Sequence, residues 1–272
     1  MHLREYSSYF FDSGIPMKSI DHLAARSRNL PEAATQRGLS LIELMIAMVI
    51  GLFLIAVIGV LFVNSKTTYL SQDANSRLQE NARFAIELLG RQARMAGAPD
   101  IKFTQLGSTN LFAKPPVFAF TGTPIAGVNG ASNSSDTITT SYDGTTDCLG
   151  HTVTSPVVNL FRINAQKQLE CLGNGSATAG VLLDDVEDLQ VVYGQPTSSG
   201  NYSYLTANVA TMSAATAARV CVLLRTKADV NKRANGAQSQ TYVDCLGSSV
   251  ASSDGYLRRA VSMTVNLRNR IN

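Results

Sequence analysis

The chain has 272 residues, a formal net charge of +3 and only 16% charged side chains. That balance gives no sign of a protein built around nucleic acid or an acidic substrate. Once a membrane anchor is subtracted, the length still leaves one domain with a real core, and the abundant Gly, Ser, Thr and Asn fit an exported, loop-rich β domain.

Residues 1–38 read as a leader rather than as structure. It holds five basic and four acidic groups, so the remainder carries +2. Met17 offers a second start and a shorter leader. From Leu39 to Val63 the chain is almost wholly apolar. Glu43 is the one charged side chain there, and no Lys, Arg, Asp, Asn, Gln or Pro follows it until Asn64. About 20 such residues cross a bilayer as a helix. Arg26, Arg28 and Arg37 precede the run, which sets the N-terminus in the cytoplasm and the rest of the chain outside. Glu43 has two readings. A carboxylate in lipid marks a functional site by default, whereas an acid in the first helical turn is favoured by the helix dipole.

The stretch Arg37-Gly38-Leu39-Ser40-Leu41-Ile42-Glu43-Leu44, ahead of that run, resembles the class III signal of type IV pilins and pseudopilins. The resemblance implies that a prepilin peptidase cuts after Gly38 and methylates the new N-terminus at Leu39, where the family usually has Phe. It makes Glu43 the family's glutamate five residues into the mature chain. In a filament, Glu43 would meet the amine of a neighbouring Leu39, so that a carboxylate among apolar helices finds a positive partner. Gly51 and Gly59 are the only breakers of the run. Glycine in a membrane helix permits close packing, while major pilins often carry a helix-breaking residue here that lets the segment extend.

Beyond Val63 the helix is expected to run on to about Ala96, roughly 85 Å in all at 1.5 Å per residue. Leu70, Ala74, Leu78, Ala82, Ala85 and Leu89 form one apolar stripe at three- and four-residue steps. Asp73 with Arg77 and Glu87 with Arg91 are i,i+4 pairs. Gly97-Ala98-Pro99 ends the element. The wording of Ser76 to Ala85 and of Arg94 to Gly97 resembles minor pilins of the PilW type.

Residues 99–135 read as irregular, with a short strand at Val117–Phe120. Strands are expected at Asp136–Tyr142, at Val157–Ile163 with Gln168–Cys171 as a hairpin, and at Leu189–Tyr193. The acids Asp184, Asp185, Glu187 and Asp188 lack the glycine and the closing glutamate of a calcium loop, so they read as a solvated face. A short helix is expected at Val209–Ala218, a strand over Ala218–Leu224, a polar excursion over Lys227–Tyr242, and a last strand over Tyr256–Arg268. Val186 to Gly194, Ala218 to Thr226 and Asn266 to Arg270 also resemble the PilW type.

Cys148, Cys171, Cys221 and Cys245 all fall on the exported side, where disulfides form. Four cysteines allow three pairings. We favour Cys148–Cys171 with Cys221–Cys245, each closing a loop of about 25 residues and contributing about 3 kcal/mol. Zinc is the rival, but there is no CxxC and His151 is the only histidine nearby.

No catalytic motif appears: no GxSxG, HExxH, Walker A or dinucleotide loop. Arg258, Arg259, Arg268 and Arg270 are the first guess for contact with DNA. The expected fold is α+β and pilin-like, a long N-terminal helix packed on an antiparallel β-sheet domain. The divisions are a leader (1–38), a transmembrane and assembly helix (39–63), the amphipathic second half of that helix (64–98) and an exported β domain (99–272). The resemblance implies a minor pilin that primes the type IV pilus or sits at its tip. It would be held in the inner membrane with its domain in the periplasm, and would have no enzymatic activity, metal or cofactor. Its partners would be a prepilin peptidase, other minor pilins and the major pilin, with a host surface or DNA as a further candidate. The alternatives are a J-like pseudopilin of type II secretion and a tip adhesin or DNA-binding module.

Overall fold

The computed structural model describes residues 38–99, 120, 122–131, 134–227, 229 and 239–270. The leader up to Arg37, residues 117–119 of the expected short strand and residues 230–238 of the polar excursion lie outside them. The chain divides into two units, Met1–Leu54 and Ile55–Asn272.

In the first unit, Gly38, Leu39 and Ser40 lead into α1 (Leu41–Met95), which continues into the second. Ser40 stands at the N-cap, accepting a bond from the Glu43 N–H at 3.1 Å through its carbonyl. Every large apolar side chain from Leu39 to Val63 is exposed. Among the described residues, α1 is the one helix long and apolar enough to cross a membrane.

In the second unit, α1 buries Leu78, Ala82, Ala85, Leu89, Gly90 and Ala93 along one face. The expected stripe begins two turns too early. Leu70 keeps 38% of its surface exposed, because a groove of about 640 Å³ separates this part of the helix from the sheet. Gly97 ends the helix in the left-handed region at φ 76°, and its N–H donates to the Ser141 carbonyl.

The fold is α+β, and among the described residues its β part is two antiparallel sheets and a separate hairpin. The first sheet is a meander of β1 (Ile125–Val128), β2 (Thr137–Tyr142), β3 (Val157–Ile163), β4 (Leu169–Gly173) and β5 (Gly180–Leu183). The second comprises β6 (Val186–Pro196), β7 (Tyr202–Thr206), β8 (Ala217–Arg225) and the last strand, β11 (Arg258–Asn266), in the order β11-β8-β6-β7. Between β8 and β11 in sequence, β9 (Gln240–Val243) and β10 (Ser249–Ser252) form the hairpin.

Strand β8 is central, and its alternation builds the core. Ala218, Val220, Val222 and Leu224 point inward and are buried. Tyr193, Val191 and Leu189 of β6 pair beside them, and Val265, Met263 and Val261 of β11 pair on the other side. The residues named on β8 and β6, with Leu78, Ala82, Ala85 and Leu89 of the helix and Ile125, Ile138, Phe161 and Leu169 of the first sheet, make one cluster, and Val261 packs against it.

The buried Asp136 joins the two sheets. Its carboxylate accepts the N–H of Gly130 and of Val191, each at 2.8 Å, and its own N–H donates to Leu189. Burial pushes the Asp136 carboxyl up from its ordinary value, against those N–H groups.

Several elements differ from expectation. β1 lies in a stretch read as irregular, and β7 lies where no strand was expected. The helix expected at Val209–Ala218 is a single 3-10 turn, Met212–Ala214. So short an Ala-rich segment does not nucleate a helix alone, and Ala217 and Ala218 gain ladder bonds and burial in β8.

Candidate functional site

The segment that carries the signal is open. Gly38 and Leu39 are exposed, Leu39 by 74%. Glu43 lies in the first turn of α1, with its N–H 3.4 Å from Ser40 Oγ. Ser40 and Glu43 have the S-x-x-E spacing of a capping box, a local signal that our sequence reading passed over. Gly51 and Gly59 have no neighbour within 4 Å of a Cβ built on them.

Two disulfides brace the domain: Cys148–Cys171 with 6.5 Å between Cα atoms, and Cys221–Cys245 with 5.6 Å. Cys171 on β4 is fully buried in the core. The loop that presents Cys148 is held by Asp147, whose carboxylate accepts the N–H groups of Leu149, His151 and Gly175 at 2.9–3.1 Å. Burial alone would raise the Asp147 carboxyl, but those donors and His151 hold it below its usual value. His151 Nδ1 lies 3.4 Å from Asp147 Oδ2. No group able to hold a metal occurs among the described residues.

The second bridge ties β8 to the turn between β9 and β10. Both bridges use the same short sequence: Asp147-Cys148-Leu149-Gly150 and Asp244-Cys245-Leu246-Gly247. In both, the aspartate accepts the N–H groups two and four residues on, and the glycine is left-handed, at φ 86° and 81°. The repeated four-residue string is the sequence signal of this shared turn, and our sequence reading passed over it as well.

The acids around the start of β6 are not one solvated face: Asp184 is exposed, whereas Asp185 and Glu187 are drawn into ion pairs. Glu187 forms a two-pronged ion pair with Arg258, at 2.6 and 2.9 Å, and lies 3.5 Å from Arg225. Arg225 also lies 3.6 Å from Asp185. Asp188 accepts bonds from Ser135, Leu189 and Gln190. The Arg258 side chain is only 7% exposed, meets Asp254 on its far side and packs against the Tyr242 ring at 5.1 Å. Arg225 stacks on Tyr256 at 4.7 Å. The arginines guessed for DNA are therefore not one surface. Arg258 is neutralised in this network, whereas Arg259 and Arg268 are exposed. The reason is tertiary: the chain between β8 and β11 folds back and brings Asp254 and Tyr242 onto Arg258.

An exposed membrane-length helix led by a class III signal, running into a disulfide-braced antiparallel β domain, defines a pilin-type protein. The family model described as Type IV Pilus-assembly protein W matches residues 158–269, and the prokaryotic N-terminal methylation motif matches residues 34–59. Together the two matches support a PilW-type pilin. Among solved structures it is similar to a type IV-like pilin from Thermus thermophilus, at 14% identity and a TM-score of 0.43, over 72% of this chain and 98% of that one. No curated protein matches the chain. Pilin families are structural rather than enzymatic. A class III signal on a pilus-assembly protein implies dealings with a prepilin peptidase and with other pilins, and points to membrane anchoring and association with the pilus.

Proposed function

We propose that this chain is a minor pilin that primes assembly of the type IV pilus or caps its tip. The observation that carries this is the exposed apolar surface from Leu39 to Val63 behind the Gly38-Leu39 signal. In lipid that surface is solvated by acyl chains, and in a filament other apolar helices take their place. On this reading the leader (1–38) is cut after Gly38 and Leu39 is methylated. Residues 39–63 are the membrane and assembly helix, residues 64–98 its amphipathic continuation, and residues 99–272 the periplasmic domain. Glu43 then pairs with the amine of a neighbouring subunit and reports correct insertion.

A loop-rich domain braced by two disulfides suits the end of a filament, where one copy suffices, better than a repeating shaft. Deleting the gene should sharply reduce sheared surface pili while the major subunit remains in the membrane. Residues 1–98 alone should fail to restore piliation, since partner recognition lies in the domain. Unchanged piliation in a deletion strain that normally expresses the protein would remove the priming role and leave the secretion or adhesin readings ahead.

A further inference from the structure

A cleft of about 630 Å³ opens on the outer face of the four-stranded sheet. Asp188, Gln190 and Leu223 form its floor. The β3–β4 turn with Lys167 is one wall, and the β9–β10 hairpin with Tyr242 and Leu246 is the other.

Lys167 is the unusual feature. It sits in the left-handed region at φ 61°, which side chains other than glycine rarely adopt. Its turn is one of four built alike. In each, the first residue donates its N–H to the carbonyl four residues on, and its own carbonyl accepts the N–H three residues on. The other three copies place Gly150, Gly200 and Gly247 at the left-handed position. Only this copy keeps a side chain there. Backbone strain retained where glycine would relieve it points to a role for the side chain. The Lys167 amine donates to the Glu187 carbonyl at 3.3 Å. That bond adds little to anchoring, because the Val186 N–H already donates to the Lys167 carbonyl at 2.8 Å. An ammonium has three donors, so two remain for the cleft.

Two carboxylates line the same cleft. Asp188 Oδ1 takes bonds from Ser135 and the Leu189 N–H, and Asp244 Oδ1 takes those of Leu246 and Ser248. The second oxygen of each carboxylate has no protein partner among the described residues. Leu246 beside them is 63% exposed.

We propose that this cleft binds a neutral oligosaccharide. Two carboxylates oppose an anion, and Lys167 opposes a cation. A hydroxyl both donates and accepts, so a sugar satisfies the ammonium and the carboxylates together. Its C–H face packs on Leu246 and Tyr242, and the volume is that of a small-ligand cleft. The site is separate from the membrane helix and stands whether or not the chain primes pili.

The test uses the full mature chain in a zwitterionic detergent that carries no sugar. Maltotriose, cellotriose, chitotriose and lacto-N-tetraose are titrated by saturation-transfer NMR, with sialyllactose as the anionic comparison. At least one neutral sugar should bind. The Lys167→Gly variant should lower that affinity roughly tenfold, the loss of one charged hydrogen bond, while raising the melting temperature because the strain is gone. Asp188→Asn should weaken binding with the fold retained. The proposal is overturned if no neutral sugar binds at about 10 mM, above the millimolar range of weak single sites. It is equally overturned if sialyllactose binds better than every neutral sugar, or if Lys167→Gly melts higher yet binds as well as the native chain.

Discussion

Arg258 shows how one side chain can hold three segments. It lies on β11, grips Glu187 at the bulged start of β6, and meets Asp254 in the loop before its own strand. A nearly buried guanidinium carries a large desolvation cost, and two carboxylates in fork geometry offset it. Replacing Arg258 with Met should cost roughly 3 kcal/mol, because Asp254 then loses its cation and Glu187 keeps only Arg225, at 3.5 Å. Urea unfolding of the native and variant chains measures this. The bond from Arg258 holds the Asp254 carboxyl well below the usual carboxylate range. A depressed carboxyl contributes stability that is present above its unfolded value, 3.8, and is lost as pH falls through the folded value. Asp254→Asn should therefore melt lower than the native chain at pH 7, and the gap should shrink below pH 3.8. Because the Asp254 side chain is 41% exposed, salt should narrow the gap as well.

At the level of elements, α1 approaches β11 through Gly90. A Cβ built there would fall 1.7 Å from the Met263 methyl, so the helix lies close enough to use the space a side chain would occupy. Gly90→Leu should cost about 2–3 kcal/mol by overpacking, and Met263→Ala in the same chain should recover part of it. Gly90→Ala should change stability little: a gain of about 1 kcal/mol in helix propensity offsets the displacement of a flexible methionine end. The four like turns respond in opposite directions. Lys167→Gly should stabilise by about 1 kcal/mol, whereas Gly247→Ala should destabilise by about as much, since the left-handed backbone penalises any Cβ. Chemical denaturation of the pair checks the sign, whatever the fate of the sugar site.

Over the whole molecule, the disulfides and the proposed processing after Gly38 set what the chain can do. Cys148→Ser with Cys171→Ser should cost about 3 kcal/mol, the loop-closure value for a bridge of this span. The cost rises further if the new hydroxyl at the buried position 171 finds no partner. Non-reducing peptide mapping of the exported protein should return Cys148 with Cys171 and Cys221 with Cys245. Blocking cleavage by Gly38→Glu should leave an unprocessed precursor in the membrane, and mass spectrometry of the native mature chain should find Leu39 at its start with one added methyl. A mature chain that begins elsewhere would contradict the proposed processing.

Sequence alone determined the parts whose physics is local. An unbroken apolar run announces a membrane-length helix, period 3.6 marks the face that carries Leu78, Ala82, Ala85 and Leu89, and alternation marks β11. The signal at Gly38-Leu39 and the PilW-type wording were legible because they are contiguous strings. Only the tertiary structure decided that Asp185 and Glu187 are ion-paired and that Arg258 is withdrawn from solvent, since Glu187 and Arg258 stand far apart in the chain. It also decided that Val209–Ala218 forms no full helix and gives its last two residues to β8, where ladder bonds and burial outweigh a few weak local preferences. The cleft beside Lys167 belongs to the same class. Its walls come from turns that neither pattern nor propensity could bring together, and the strain at Lys167 shows only when its turn is set beside three others that use glycine.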